Sequence, residues 1–328
     1  MYYRCLLPAM AMGADWCGIM GEPPRIGVAT SMIANGTEMP NLLEDYDIVV
    51  LQQPAGEGWI RTIEAMQERG VKVIFEIDDY LHGIKEVKSH DYAKGFDAAH
   101  LRRIEEAMAA CDALIASTPY LKKKYRKMNP NAFVCQNGID PDRYNFERPS
   151  RDTVNIGWAG ATGHLEAVQP WFATAGAIMR ARPDTRFVSI GEPYALAFQK
   201  ELGEDRALPV PWAAIEQYPA AMTMFDIALA PGGQGGWWRG KSDLRWLEAG
   251  ALGIPAIVNP SIYPEGHNGQ TCMTATSQQQ VAEALLALVD NAELREEIGQ
   301  RAKDYIREKR SIKAVVSQWE RVFERVLG

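Results

Sequence analysis

The chain has 328 residues, 47% apolar and 23% charged, with a net charge of −7. This is globular composition with length enough for two domains, and the acidic balance argues against a protein that coats nucleic acid through overall basic charge. Five cysteines at 5, 17, 111, 135 and 272 form no CxxC pair, and the apolar runs are strand-sized. A disulfide scaffold and a membrane span are therefore both disfavoured. No basic-then-apolar leader is visible, so a cytoplasmic location is the expectation.

In chain order, a short apolar segment before Gly13 reads as a first strand. A strand over 47–51 follows, then a Pro/Gly turn at Pro54 and Gly56. A helix over 60–69 is closed by Gly70 in the manner of a left-handed cap. Strands over 71–77, 113–116 and 133–135 alternate with helices over 99–110 and 119–127. After a loop at 138–151 the alternation restarts, with strands over 153–158, 186–190, 225–230 and 256–259 and helices over 165–180 and 243–252. Alternation of this kind predicts an α/β fold of parallel sheets, and the restart predicts two similar Rossmann-like domains, 1–150 and 151–310. Helices are also expected over 281–289 and 294–307. A final stripe of Ile312, Val315, Val316, Trp319, Val322, Phe323 and Val326 predicts an amphipathic helix over 311–328.

Three constellations carry chemistry. Asn155-Ile-Gly157-Trp-Ala-Gly160-Ala-Thr162-Gly163-His164 joins a strand to a helix, where backbone amides and the helix N-terminus favour a diphosphate. Pro231 then ends a strand, a Gly-rich loop reaches Arg239-Gly240-Lys241-Ser242, and a helix follows, with Ser242 as its N-cap. On that helix Glu248 lies along the apolar stripe of Leu244, Leu247 and Ala251. A carboxylate there needs hydroxyl or amide partners, and ribose hydroxyls suit it as well as a plain pairing with Arg245 or Arg239 would. Asp78 and Asp79, finally, end the strand over 71–77, at the sheet end where open α/β folds place their sites.

These segments resemble GT-B-fold glycosyltransferases, in particular the retaining family four. The donor motif of that family runs Lys-Ser-x-x-Lys/Arg-x-x-Glu-x-x-x-x-Gly-x-Pro, and Lys241 to Pro255 follows it. Ala113 to Leu121, Gln136 to Asp140 and Ile156 to Gly160 match further elements in the family's order, and the variant motifs look like those of bacterial and tailed-phage enzymes. The resemblance implies two domains facing across a cleft, with the last helix crossing back to the first. It implies transfer from a UDP- or GDP-linked sugar to an acceptor hydroxyl, with retention, without metal and with no prosthetic group. Glu248 would bind the ribose. Lys241, Ser242, Arg239 and Gly160, Thr162, Gly163 and His164 would surround the diphosphate. Trp212 would flank the base, Gly13 would border the sugar phosphate, and Asp79, with Asp78, would serve the acceptor hydroxyl. One departure is Gly240, which stands where many members carry a first glutamate.

Other readings stay open at this level. Asp78 and Asp79 would hold a divalent metal in a single-domain GT-A glycosyltransferase. Gly240 would also suit a non-catalytic sugar-nucleotide-binding protein. A Rossmann oxidoreductase fits poorly, because the glycine spacing is not GxGxxG. The acceptor is open among glycan, lipid, protein and DNA. Residues 81–127 hold 10 basic and 6 acidic residues, and the densest run, Lys122 to Lys127, is either a phosphate-binding patch or a solvated helix face.

Overall fold

The structure, a computed structural model, describes residues 2–16, 26–30, 46–55, 58–86, 93, 95–161, 165–263 and 266–328. Cys17, Gly56, Thr162, Gly163 and His164, named above, lie outside these residues.

The chain opens with a π-helical turn, Tyr2–Leu6, that runs into α1 (Leu7–Met12). The first strand expected before Gly13 is therefore a helix. Cys5 and Ala9, four apart, are buried on one face, and Gly13 closes the helix at φ 67°. Next come β1 (Asp15–Trp16), β2 (Ile26–Thr30), β3 (Ile48–Gln52), α2 (Trp59–Glu68), β4 (Lys72–Ile77), α3 (Ala98–Ala110), β5 (Ala113–Ala116), α4 (Pro119–Tyr125) and β6 (Ala132–Val134). The six strands form one parallel sheet in sequence order. Ile48 to Leu51 and Val73 to Phe75 are buried throughout, as central parallel strands covered on both faces must be. The helices start where local chemistry permits: Asp97 accepts from the His100 amide and Thr118 from the Leu121 amide.

The second sheet is built from β7 (Val154–Gly160), α5 (Leu165–Ala181), β8 (Thr185–Gly191), α6 (Ala195–Leu202), β9 (Ala207–Val210), α7 (Tyr218–Met222), β10 (Ile227–Ala230), α8 (Gly236–Gly240), α9 (Leu244–Ala251), β11 (Ala256–Val258) and β12 (Met273–Thr274). It too is all parallel, in the order β12-β11-β10-β7-β8-β9. Two separate parallel sheets give the two-domain α/β architecture and exclude the single-domain alternative.

Two helices, α10 (Gln278–Asp290) and α11 (Ala292–Tyr305), complete the second domain, and α12 (Ile312–Leu327) ends the chain. Trp319, Val322 and Phe323 of α12 pack with Cys5 and Ala9 on Ile48, Val50, Ile74 and Ile115 of the first sheet. The last helix thus lies on the first domain. The outgoing and returning chain segments are bonded to each other: Ile139 N–H donates to the Arg310 carbonyl (2.9 Å) and Ile312 N–H to the Ile139 carbonyl (2.6 Å). No described helix is long and apolar enough to cross a membrane.

Candidate active site

The first domain contributes the carboxyl end of β4. Glu76 is fully buried and paired at 2.7 Å with Arg4, a charge brought in by the N-terminal turn. Asp78 accepts from Gln53 Nε2 at 2.7 Å. Gln53 follows β3 in the left-handed region, φ 49°, a conformation a non-glycine residue holds only when its surroundings fix it. Burial, and then the adjacent Asp79 charge, push the Asp78 carboxyl up from its ordinary value. Asp79 points across the domain boundary and accepts from Lys241 Nζ at 2.7 Å.

The second domain answers with the segment after β10. Two sequence expectations are corrected here. The Gly-rich loop contains the helical turn α8, clamped to the first domain because Glu86 accepts from the Gly236 amide (2.6 Å) and the Trp237 amide (3.3 Å). Ser242 is not the N-cap of α9. Asp243 occupies that position and makes no side-chain cap bond, because its carboxylate takes buried Arg310 at 2.5 and 3.0 Å. Ser242 Oγ instead accepts from Asn137 Nδ2 at 2.8 Å, and Asn137 is itself held by Arg4. Gly240 has a steric reason: a Cβ there would stand 2.7 Å from Tyr80 Cβ and 3.1 Å from its backbone nitrogen. The two domains meet too closely for a glutamate at this position. Lys241 also lies 3.9 Å above the Trp237 ring.

At the carboxyl end of the second sheet, Gly160 and Gly191 are register partners on β7 and β8. A Cβ on Gly191 would sit 3.0 Å from the Trp212 ring, and one on Gly160 would sit 2.7 Å from Arg245 Nη2. Trp212 is 63% exposed after β9, an aromatic face left open to solvent. Together these residues make a bare backbone ledge between an aromatic face and a guanidinium.

Glu248 lies behind this ledge, 6% exposed. Tyr3 donates to Oε1 at 2.8 Å and Tyr218 to Oε2 at 3.3 Å, and the Tyr144 hydroxyl is 2.7 Å from that of Tyr3. Its partners are thus tyrosines, not the arginines proposed from spacing. Burial pushes the carboxyl up to about 7, against the opposing pull of the Tyr3 bond and the Arg245 charge. The phenols of Tyr3 and Tyr218 are raised by the same burial and by Glu248.

Two adjoining cavities open between the domains, of about 210 and 230 Å3. Asp78, Asp79, Lys241, Ser242 and Arg245 line the first. Ser117, Thr118, Tyr120, Gln136, Arg239 and again Lys241 line the second. Of the sequence candidates, the structure brings together Asp78, Asp79, Lys241, Ser242 and Arg239. Glu248, Gly160 and Trp212 stand outside both cavities, and so does Gly13, whose neighbours Met12 and Ala14 pack beside α12. Sequence reasoning missed Tyr3, Tyr144, Tyr218 and Gly191, and it met Arg245 only as the basic position of the donor motif and as a partner for Glu248. Lys122, Lys123 and Lys124 are exposed, with Lys124 over the Tyr80 and Tyr120 rings at 5.0 and 5.3 Å. Among the described residues no group of three or more His, Cys, Asp or Glu has the arrangement of a metal site.

Residues 172–321 match the family model described as glycosyl transferase-like. No curated protein sequence matches the chain. Solved structures of the same fold include Anabaena Alr3699/HepE in complex with UDP and glucose, at 12% identity and TM-score 0.66, over 88% of this chain and 80% of that one. The sucrose-phosphate synthase of Thermosynechococcus elongatus aligns at 12% identity and TM-score 0.63, over 88% and 77%. A glycosyltransferase of Rickettsia africae aligns at 13% identity and TM-score 0.63, over 89% and 80%. The fold is GT-B. Residues 172–321 carry the glycosyl transferase-like match within that fold.

Proposed function

We propose that the protein moves a sugar from a nucleoside diphosphate to an acceptor hydroxyl, with the donor's sugar and diphosphate in the first cavity, its nucleoside on the ledge beside it, and the acceptor entering through the second. The observation that carries this reading is the Asp79–Lys241 pair. It joins the domains, and Lys241 lines both cavities, so a carboxylate and a cation stand at the junction of the two. The acceptor hydroxyl would meet Asp79, which holds or takes its proton. Asp78 positions the Gln53 turn. Gly160 and Trp212 would carry the nucleoside, and Thr162, Gly163 and His164 are assigned to the phosphate side from the sequence motif alone. Ribose hydroxyls would donate to Glu248, since a carboxylate has lone pairs for about four donors and two tyrosines use only part of them.

The same-fold Anabaena protein was solved with UDP, which makes UDP the first donor nucleotide to test and GDP the second. Retention and metal independence are part of the proposal. They are tested by product stereochemistry and by turnover in EDTA. The acceptor class is to be read by mass spectrometry of glycan, lipid, protein and DNA candidates incubated with the donor. The direct test of the donor site is calorimetry with UDP and GDP. Glu248→Gln removes a charge-assisted bond worth about 1.5–3 kcal/mol, so nucleotide affinity should fall by roughly ten- to a hundredfold. Unchanged affinity in this variant would place the ribose elsewhere.

A further inference from the structure

We infer that Tyr3 is a positioning residue of the donor site, and that the N-terminal turn reaches into the second domain to fix the Glu248 carboxylate for the ribose. This rests on the ribose reading above. The closer of the two bonds on Glu248 comes from Tyr3, which donates to Oε1 at 2.8 Å. An ionised carboxylate only accepts, so the Tyr3 hydrogen is committed to it. The Tyr144 hydroxyl, 2.7 Å away, must then donate to the Tyr3 oxygen. The chain runs one way, from Tyr144 through Tyr3 to Glu248, and each bond polarises the next.

The residue after Tyr3 makes the turn rigid. Arg4 is buried and bonded to Glu76 at 2.7 Å, to the Cys135 carbonyl at 2.6 Å and to Asn137 Oδ1 at 3.0 Å. All three partners belong to the first domain, so two consecutive side chains grip one domain each. Tyr144 is 2% exposed at the end of the 141–144 turn. With Oε1 held from this platform and Oε2 by Tyr218, the carboxylate plane is set before a ribose arrives. Among the described residues the groups facing the carboxylate are Tyr3, Tyr144, Tyr218, Tyr263 and, on its own helix, Arg245. Burial holds the four phenols above their ordinary value and arginine keeps its charge, so the carboxylate is the group that titrates near neutrality.

Calorimetry on the intact protein compares UDP and GDP with their 2′,3′-dideoxy counterparts, which lack the ribose hydroxyls. The ratio of the two affinities reports the ribose contact, because the phosphates titrate alike in both and cancel. In the wild type this ratio should rise with pH through about 7, as Glu248 ionises. Tyr3→Phe removes one hydroxyl and keeps the ring. It should lower the ratio at neutral pH by about three- to tenfold and leave the dideoxy nucleotide within about twofold. The midpoint should move to higher pH, because the Tyr3 bond pulls the carboxyl down. Tyr144→Phe should do the same to a smaller degree. Equal weakening of both nucleotides in Tyr3→Phe, or an unmoved midpoint, would mark Tyr3 as merely structural and overturn the inference. Tighter UDP binding would mean that Tyr3 competes with the ribose, and would overturn it too. If Glu248→Gln lowers the ratio while Tyr3→Phe leaves it unchanged, the inference alone fails. If the wild type does not distinguish the dideoxy nucleotide and Glu248→Gln changes nothing, the ribose reading fails and the role of Tyr3 falls with it.

Discussion

Gly240 and Glu248 show how packing decides what a single position can do. At Gly240 even a methyl group meets Tyr80, so Gly240→Ala should destabilise the protein by about 1–3 kcal/mol, the usual range for overpacking. Urea unfolding measures this, and a neutral result would mean that the domain contact yields freely. Glu248 ties stability to pH. Its folded-state carboxyl, at about 7, lies above the ordinary 4.5, so the folded protein holds that proton more tightly than the unfolded chain does. The stability it contributes is complete below about pH 4.5 and is lost as pH rises through about 7. Glu248→Gln has no such proton to lose. Subtracting its unfolding free energies from those of the wild type across pH 5–8 should therefore reveal a falling curve. A flat difference would mean that Glu248 is not desolvated. Nucleoside affinity should move the other way and strengthen as pH rises through 7, because the carboxylate is the better acceptor.

At the scale of elements, what was legible in the sequence was what is local. Ile48 to Leu51 and the Ala113–Ala116 strand read as strands because strands buried on both faces must be apolar at every position. Helix α12 reads as a helix because Trp319, Val322 and Phe323 recur at spacings of three and four. The turn α8 was not legible: Gly236 and Gly240 bound it, and its helical form comes from Glu86 and Tyr80 in the other domain. The N-terminal helix was mistaken for a strand because nearly every residue before Gly13 is apolar, which hides the four-residue period. For the site, Asp78, Asp79 and Lys241 lie in short readable runs. The Tyr3–Glu248 bond spans 245 positions, and no spacing rule reaches that far. The packing of α12 is itself testable. Trp319→Ala or Phe323→Ala should cost about 3–5 kcal/mol, while Glu324→Ala on the exposed face should stay within about 0.5 kcal/mol. Equal effects from the two faces would contradict the packing described.

On the scale of the whole molecule, the domains are coupled through buried charge. Arg310 sits in the returning segment, bidentate to Asp243 and bonded to the Asn137 carbonyl. Arg310→Ala strands a buried carboxylate and should destabilise by about 3–5 kcal/mol, with a larger radius of gyration by small-angle scattering if the domains part. A stable and equally compact variant would show that the pair is dispensable. The position of α12 also has a consequence in time. Six strands of the first sheet are complete by Val134, yet the helix that covers Ile48, Val50, Ile74 and Ile115 begins only at Ile312. At roughly 5–20 residues per second, a ribosome leaves that apolar face bare for about 10–40 seconds while the second domain is made. The second domain can therefore close before the first, and the half-covered first sheet is the species a chaperone would meet. A chain stopped before Ile312 would keep that face open, and so should appear in the pellet while the full chain stays in solution.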